Sequence, residues 1–361
     1  MPERGARVKA YPQREGQRPL LIAVLVALFA VAALVGMKAD PAEPANVPSE
    51  TVPRPEPVPT LTLAAVGDVM CHLPQVRAAW DSRRGVYDFT PAFSEVAPYL
   101  SAADITLANL ETVLDDSRPY RGYPRFNSPP ALAQALAEAG VDLVTTANNH
   151  ALDQGEAGVL ATLKSLKGAG LFVTGTFADE AERGPLVCSL RGFKLAFLAY
   201  TLHTNGLVPP PGKEYLVNVY NAEQAAQDIT AARTQGAEFV VVSMHWGQEY
   251  QSRPSTEQEE LARGLLAAGA DLILGSHPHV LQPLEEKIQP AGGKRALVAY
   301  SLGNFISSQR DPGTDCGLIL YVTIARDPDS GQVGISSYWT VPTRVVRGEK
   351  IRVVPGEPYG E

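Results

Sequence analysis

From Leu61 onward, short apolar runs alternate with longer amphipathic stretches that end in glycine, the pattern of strands alternating with helices. Leu61 to Val66 reads as a strand that stops at Gly67-Asp68. Ser128 with Pro129 and Pro130 opens a helix that runs to Glu138 and ends at Gly140, proline being welcome in the first turn. Val141 to Thr146 is a strand, Gly155 to about Lys167 a helix, and Leu171 to Thr174 and Phe193 to Tyr200 are strands. Ala222 to Thr234 is a helix and Glu238 to Met244 a buried strand. Thr256 with Glu259 makes a capping box for a helix to Ala268, followed by the strand at Asp271 to Leu274. After Arg295 the runs Ala296 to Ser301, Leu318 to Ile324 and Val333 to Trp339 read as strands with no helix between them. No repeat at solenoid spacing appears. The pattern predicts one large layered α/β domain with a β-rich C-terminal part.

The N-terminal stretch has a different character. Leu20 to Met37 is an uncharged apolar run of 18 residues, at the lower edge of what crosses a bilayer. It is longer than the ~7–15 apolar residues of a signal peptide, and Val35-Gly36-Met37-Lys38 offers no small-x-small cleavage site. The expectation is an uncleaved transmembrane anchor, residues 20–37, with a basic cytoplasmic segment over 1–19 and everything else outside the cell membrane. Seven prolines between Asp40 and Thr60 make an extended linker over 38–60. The domain then occupies 61–350 and a tail 351–361.

The 361 residues are 45% hydrophobic, enough for a large core, and carry a formal net charge of -8. Five Lys and Arg against two Glu in residues 1–37 leave the rest of the chain still more acidic. That balance argues against nucleic acid as a partner. The three cysteines, Cys71, Cys188 and Cys316, have no metal or redox spacing and are expected to be buried free thiols.

Polar residues recur just past the apolar strands: Asp68, Asn109 with Glu111, Asn149 with His150, His245, and His277 with His279. Strand ends are where α/β folds keep their chemistry. Pro278 disfavours helical backbone at His277, so His277-Pro278-His279 reads as extended, with both imidazoles on one side. Singly, such residues are turn or capping residues. Together they are the His, Asn and carboxylate set that a binuclear metal site needs.

At these positions the chain resembles the CapA/PgsA family of bacterial capsule-synthesis proteins, whose domain is similar to the calcineurin-like metallophosphoesterases. The matching pieces are Val66-Gly67-Asp68-Val69-Met70, Ala108-Asn109-Leu110-Glu111, Ala147 to Gly155, Met244 to Tyr250, Gly275 to Gln282 and Tyr300 to Ile306, spread over roughly residues 61–310. The resemblance implies a fold of that layered type and a divalent metal at two sites, drawn from Mn, Zn or Fe. It implies Asp68, Glu111 (or Asn109, the other residue near the bridging position), Asn149, His245, His277 and His279 as ligands. His150 is implied as the group that meets phosphate or leaving group, a general acid. Asp153 and Glu249 are expected to orient ligand histidines, and Asn109 and Asn304 to stand around the site. The chain departs from the pattern at Met70, where the superfamily has a histidine two residues after its aspartate; a thioether is a poor ligand for hard divalent metals. His72 and His203 read either as exposed loop histidines or as neighbours of the site, and Trp246 and Tyr250 either as packing or as a cover.

The function implied is poly-γ-glutamate capsule formation or export outside the membrane, with an anionic polymer as substrate and synthase subunits as partners. The alternatives are a non-catalytic polymer-binding or scaffold subunit of a synthase complex, and a general envelope phosphoesterase.

Overall fold

The computed structural model describes residues 9–10, 58–290 and 292–356. The expected anchor over 20–37 lies outside them, and among the described residues no helix is long and apolar enough to cross a membrane. Two large sheets, their helices and a small two-stranded ribbon, Trp80–Asp81 with Val86–Tyr87, make up the described domain.

One sheet is built on β1 (Thr60–Val69), β2 (Ile105–Leu110), β3 (Leu143–Thr145) and β4 (Phe172–Thr174), all parallel. The second is built on β5 (Leu186–Leu190), β6 (Phe193–Thr201), β7 (Phe239–His245) and β8 (Leu272–Ser276), then β9 (Leu284–Ile288) and β10 (Arg295–Ala299). Here β6, β7, β8 and β10 run parallel, while β5 and β9 are antiparallel to their neighbours. Lys9 and Ala10 pair in parallel with Cys188 and Ser189 at the β5 edge. β11 (Asn304–Ile306) returns to lie beside the end of β1. β12 (Cys316–Arg326), β13 (Val333–Arg347) and β14 (Ile351–Pro355) then extend the first sheet as an antiparallel meander on the other side of β1. The β-rich C-terminal part is therefore an extension of the first sheet. Its last strand reaches into residues read from sequence as tail.

Side chains alternate across each strand, and the central strands of both sheets are buried on both faces. Leu61, Leu63 and Ala65 of β1 pack against Phe197, Val241 and Leu272 of the second sheet, so the two sheets lie face to face. Ala64 and Val66 point the other way, to Leu132 and Leu136 of the helix α2 (Ala131–Ala139). The outer face of the second sheet is covered by α4 (Ala222–Thr234) and α5 (Thr256–Ala268) through Ala225, Ile229, Ala262 and Leu265. α1 (Leu73–Ala79) follows β1 and α3 (Gly155–Gly168) follows β3. The order helix, sheet, sheet, helix follows from strands that are apolar on both sides.

Most sequence-predicted elements fall within a residue or two of their observed bounds. The capping box of α5 sits one residue earlier than predicted. Ser255 is extended, its Oγ accepts from the Gln258 amide at 3.2 Å, and Gln258 Oε1 accepts from the Ser255 amide at 2.9 Å. β5 and β9 were not legible, because β9 lies at a sheet edge and β5 is only partly buried, diluting the apolar signal. Cys71 and Cys188 are buried free thiols as expected, and Cys316 is half-buried.

Candidate metal centre

The parallel strands of both sheets present their C-terminal ends at one pole, and there the polar residues gather. Asp68 stands in β1, Asn109 in β2 with Glu111 just beyond, and Asn148, Asn149 and His150 follow β3. From the facing sheet come His245 at the end of β7 and His277 and His279 just past β8. All these side chains are at least nine-tenths buried.

Asp68 is the organising acceptor. Asn109 Nδ2 donates to its Oδ1 at 2.8 Å, and its Oδ2 lies 3.2 Å from the His277 amide and 3.0 Å from His279 Nδ1. His245 Nδ1 is 2.9 Å from Ser276 Oγ and its Nε2 is 3.0 Å from Asn149 Oδ1. The His245 and His277 rings are 4.7 Å apart, and His277 and His279 5.8 Å. His277 and His279 do converge, but not through extended backbone: their φ angles are +95° and +59°. The bonds both residues make to Asp68 outweigh the local preference set by Pro278. Such backbone costs about 1–3 kcal/mol per residue and persists where its surroundings over-determine it.

Glu111 lies in the middle, with His245 Nε2 3.5 Å and His279 Nε2 3.7 Å from its Oε1. Neither of its carboxylate oxygens has a hydrogen-bond partner among the described residues, and neither does His277 Nδ1. Ligand atoms of Glu111, His277 and His279 lie within 4.8 Å of one another, and so do those of Asp68, Glu111 and His245. Glu111 is common to both groups, and Asn109 donates to Asp68. Burial, then the neighbouring Asp68, hold the Glu111 carboxyl well above its usual range. Burial also holds His245 well below its ordinary value and His277 at about 3, the other histidines adding to both. His245 is therefore neutral, so its 3.5 Å approach to Glu111 is not an ion pair. Neutral imidazoles around an unpaired buried carboxylate form a donor set that suits a divalent metal cation. The residues present fit such an ion.

His150 sits to one side. Its Nδ1 is 2.7 Å from Asp153 Oδ2 and its amide donates to Asn148 Oδ1 at 3.1 Å, while Nε2 makes no hydrogen bond among the described residues. Asp153 thus orients His150 and none of the histidines expected as ligands. Glu249 does not orient a histidine: it is exposed, and only its charge reaches Glu111. Asn304 is buried beside Asp68 in the β1–β11 pair; its Nδ2 donates to Gln309 and to the Thr314 carbonyl, and its Oδ1 has no hydrogen-bond partner among the described residues. Met70 is buried next to Ser307, whose hydroxyl approaches its sulfur at 3.8 Å.

His72 and His203 prove to be neighbours of the site. His72 caps α1, is pushed down to about 4 mainly by burial, and packs edge-on against Phe126; His203 packs edge-on against His277 at 5.4 Å. All six histidines of the chain thus stand at one pole. Trp246 is packing, its Nε1 donating to the Tyr300 carbonyl, and Tyr250 lies exposed at 6.3 Å from His279. Two contributors were missed in the sequence. Ser276 adjoins the histidine pair and could have been read from that adjacency. Phe126, whose ring is 4.6 Å from His150, carries no local signal.

The family model described as bacterial capsule synthesis protein PGA_cap matches residues 62–309, which include every residue of this centre. The Capsule biosynthesis protein CapA of Bacillus anthracis is 33% identical over 281 residues, 72% of this chain and 63% of that protein. The PGA biosynthesis protein CapA of Bacillus subtilis (strain 168) is 28% identical over 245 residues, 63% of this chain and 60% of that one. The matches thus span under two thirds of these relatives. Among solved structures, the calcineurin-like phosphoesterase YfkN from Bacillus subtilis is a loose likeness, at 15% identity and TM-score 0.45 over 79% of this chain and 91% of that one. On the family match and the Bacillus anthracis relative, this chain belongs to the bacterial capsule synthesis protein family PGA_cap.

Proposed function

We propose that the chain is a metal-dependent, phosphoesterase-like hydrolase that acts outside the cell membrane in the synthesis or export of a poly-γ-glutamate capsule. The observation that carries the reading is Glu111, buried with both oxygens unpaired and shared by two groups of converging ligand atoms. The names of the relatives, CapA proteins of capsule and PGA biosynthesis, supply the polymer. Asp68, Glu111, Asn149, His245, His277 and His279 would hold the metal. A bound divalent ion supplies Lewis acidity and a nucleophile at neutral pH. Asp153 accepts from Nδ1 of His150 and fixes the ring, leaving Nε2 as the atom that passes a proton to the leaving group.

Met70 supports a second reading, a non-catalytic subunit that binds the polymer beside a synthase, because it leaves one metal position a ligand short. Two substitutions separate the readings. In an enzyme, His150→Ala keeps its metal and loses ~10²–10⁴ in turnover, while His277→Ala loses metal and activity together. The measurements are metal content, hydrolysis of a generic phosphodiester and capsule yield in cells. Normal capsule from His150→Ala cells at normal protein level would rule out catalysis and leave the binding subunit.

The proposal includes a membrane anchor at Leu20–Met37, supported by the length of that uncharged run. The pairing of Lys9–Ala10 with Cys188–Ser189 puts residues 9–10 on the same side as the domain, which a single crossing at 20–37 does not allow, so the topology is the quantity to measure. Carbonate-washed membranes should retain the protein, and protease added to intact cells should remove its C-terminal domain. Release of a shortened soluble form would end the anchor reading.

A further inference from the structure

In a chain of net charge -8, the segment Arg118-Pro119-Tyr120-Arg121-Gly122-Tyr123-Pro124-Arg125 holds three arginines and no acid. Arg118 is partly neutralised, with Asp115 at 3.4 Å, and donates to the Gln154 carbonyl at 3.2 Å. Arg121 and Arg125 are exposed and make no ion pair among the described residues. The three line a cleft of about 340 Å³ whose other walls are Asp153 to Gly155, Leu207 and Val208. A solvated arginine face would explain the exposure. It would not explain the concave wall or the rigidity of the loop that makes it.

That loop is clamped. Asn127 Nδ2 donates to the carbonyls of Asp115, Arg118 and Pro119 at 2.9, 3.3 and 3.2 Å, and Arg121 and Asn127 exchange backbone hydrogen bonds. The same clamp reaches the centre. Phe126, next to Arg125, packs on the His150 ring and donates its amide at 2.6 Å to Asp153 Oδ2, the oxygen that also holds His150 Nδ1. The facing wall belongs to the segment that begins at His203, whose ring lies against His277. Both walls of the cleft therefore continue into the histidine cluster.

Apolar surface stands beside the charge. Val208, in the cleft wall, is 83% exposed and Tyr123, in the arginine loop, is 77% exposed, the two most exposed large apolar side chains among the described residues. Guanidinium groups suit carboxylates, which they grip in bidentate fashion, and exposed apolar side chains beside them offer surface for the methylene groups of a ligand to cover. A ligand that alternates carboxylates with methylene stems satisfies both.

We propose that Arg121 and Arg125, with Arg118 behind them, form a carboxylate subsite that seats an anionic glutamyl chain beside His150 and the metal ligands. The identity of the chain as glutamate-based rests on the function proposed above; the subsite rests on the cleft. The test uses the full chain and a fluorescent γ-linked glutamate decamer, with affinity read by anisotropy over a range of salt. Arg121→Ala/Arg125→Ala should weaken binding roughly 5- to 30-fold, each exposed charged pair contributing up to a factor of about five. The dependence on salt should flatten, metal content should not change, and Arg121→Lys/Arg125→Lys should restore part of the affinity. Glutarate should compete better than inorganic phosphate. Unchanged affinity and salt slope in the alanine variant, no binding by the wild type, or competition by phosphate alone would each overturn the carboxylate subsite. If the wild type holds no metal and hydrolyses nothing, yet the alanine variant still loses affinity, the hydrolase reading fails and the subsite stands.

Discussion

Glu111, His245, His277 and His72 are all held away from their ordinary charge states by burial, and the two residue types pull in opposite directions with pH. The histidines have folded values below 6.5, about 4 for His72 and about 3 for His277. The stability they contribute is present above pH 6.5 and is lost as pH falls through those folded values, because the unfolded chain takes up protons that the folded one refuses. Glu111 has a folded value above 4.5, so its contribution is present below that pH and is lost as pH rises through the folded value. Three histidines outweigh one carboxyl on the acid side. Protein stripped of metal by a chelator should therefore lose thermal stability as pH falls from about 6.5 towards 4, followed by the melting midpoint in a pH series. A midpoint that is flat or rises over that range would show that the histidines are not held neutral. Glu111→Gln should flatten the decline on the alkaline side and should also abolish metal binding.

The strand ends hold these residues through close backbone approaches that glycine makes room for. A Cβ on Gly275, two residues before His277, would lie 1.9 Å from the Tyr300 carbonyl oxygen and 2.7 Å from Trp246 Nε1. On Gly67, next to Asp68, it would lie 1.8 Å from the Gly303 oxygen, which accepts the Asp68 amide at 3.0 Å. Gly275→Ala must move β8 away from Tyr300, so it should cost about 1–3 kcal/mol or more and weaken metal binding with it. Gly264→Ala is the control: it lies exposed in α5 with open space around it, and should stabilise by ~0.4–1 kcal/mol without touching metal content. Denaturant melts and metal analysis of the two variants check both; Gly275→Ala at wild-type stability would contradict the close approach. At this scale much was legible in the sequence. Buried central strands such as β7 and amphipathic helices such as α4 announce themselves by local periodicity, and the polar residues that follow them marked the site. The left-handed backbone at His277 and His279 was not legible, because its cause is Asp68, some 200 residues away in sequence. Nor was Phe126 beside His150, which is placed by the bond of its amide to Asp153 and by no local pattern.

Across the whole molecule, the centre lies where two face-to-face sheets meet, and its groups are divided between them. Asp68, Glu111 and Asn149 belong to one sheet and its loops; His245, His277 and His279 belong to the other. Which strand joins which sheet depends on long-range pairing, such as β12 inserting beside β1, and no local pattern contains that information. The division gives the metal a role in the fold as well as in chemistry. Without it, the pole is joined by the Asn109, Asp68 and Asn149 contacts to the three histidines, and Glu111 is buried with its oxygens unpaired. With it, Glu111 and ligands from both sheets share one ion. The opposite pole is tied differently, by Asp104 with Arg191 and by Arg326 with Glu238, each at 2.7 Å, and this tie does not depend on metal. An ion that binds only the folded chain stabilises it by mass action, about 2.7 kcal/mol at a hundredfold excess over its dissociation constant. For a domain of this size that amounts to roughly 4 °C in the melting midpoint. Manganese or zinc added to chelator-treated protein should thus raise the midpoint of a single transition, since both sheets are held by the same ion. His277→Ala should abolish the response, whereas Arg121→Ala should keep it. A midpoint indifferent to metal in the wild type would mean that Glu111 and its histidines close the pole without an ion. A response confined to one of two separate transitions would mean that the ion sits on one sheet alone.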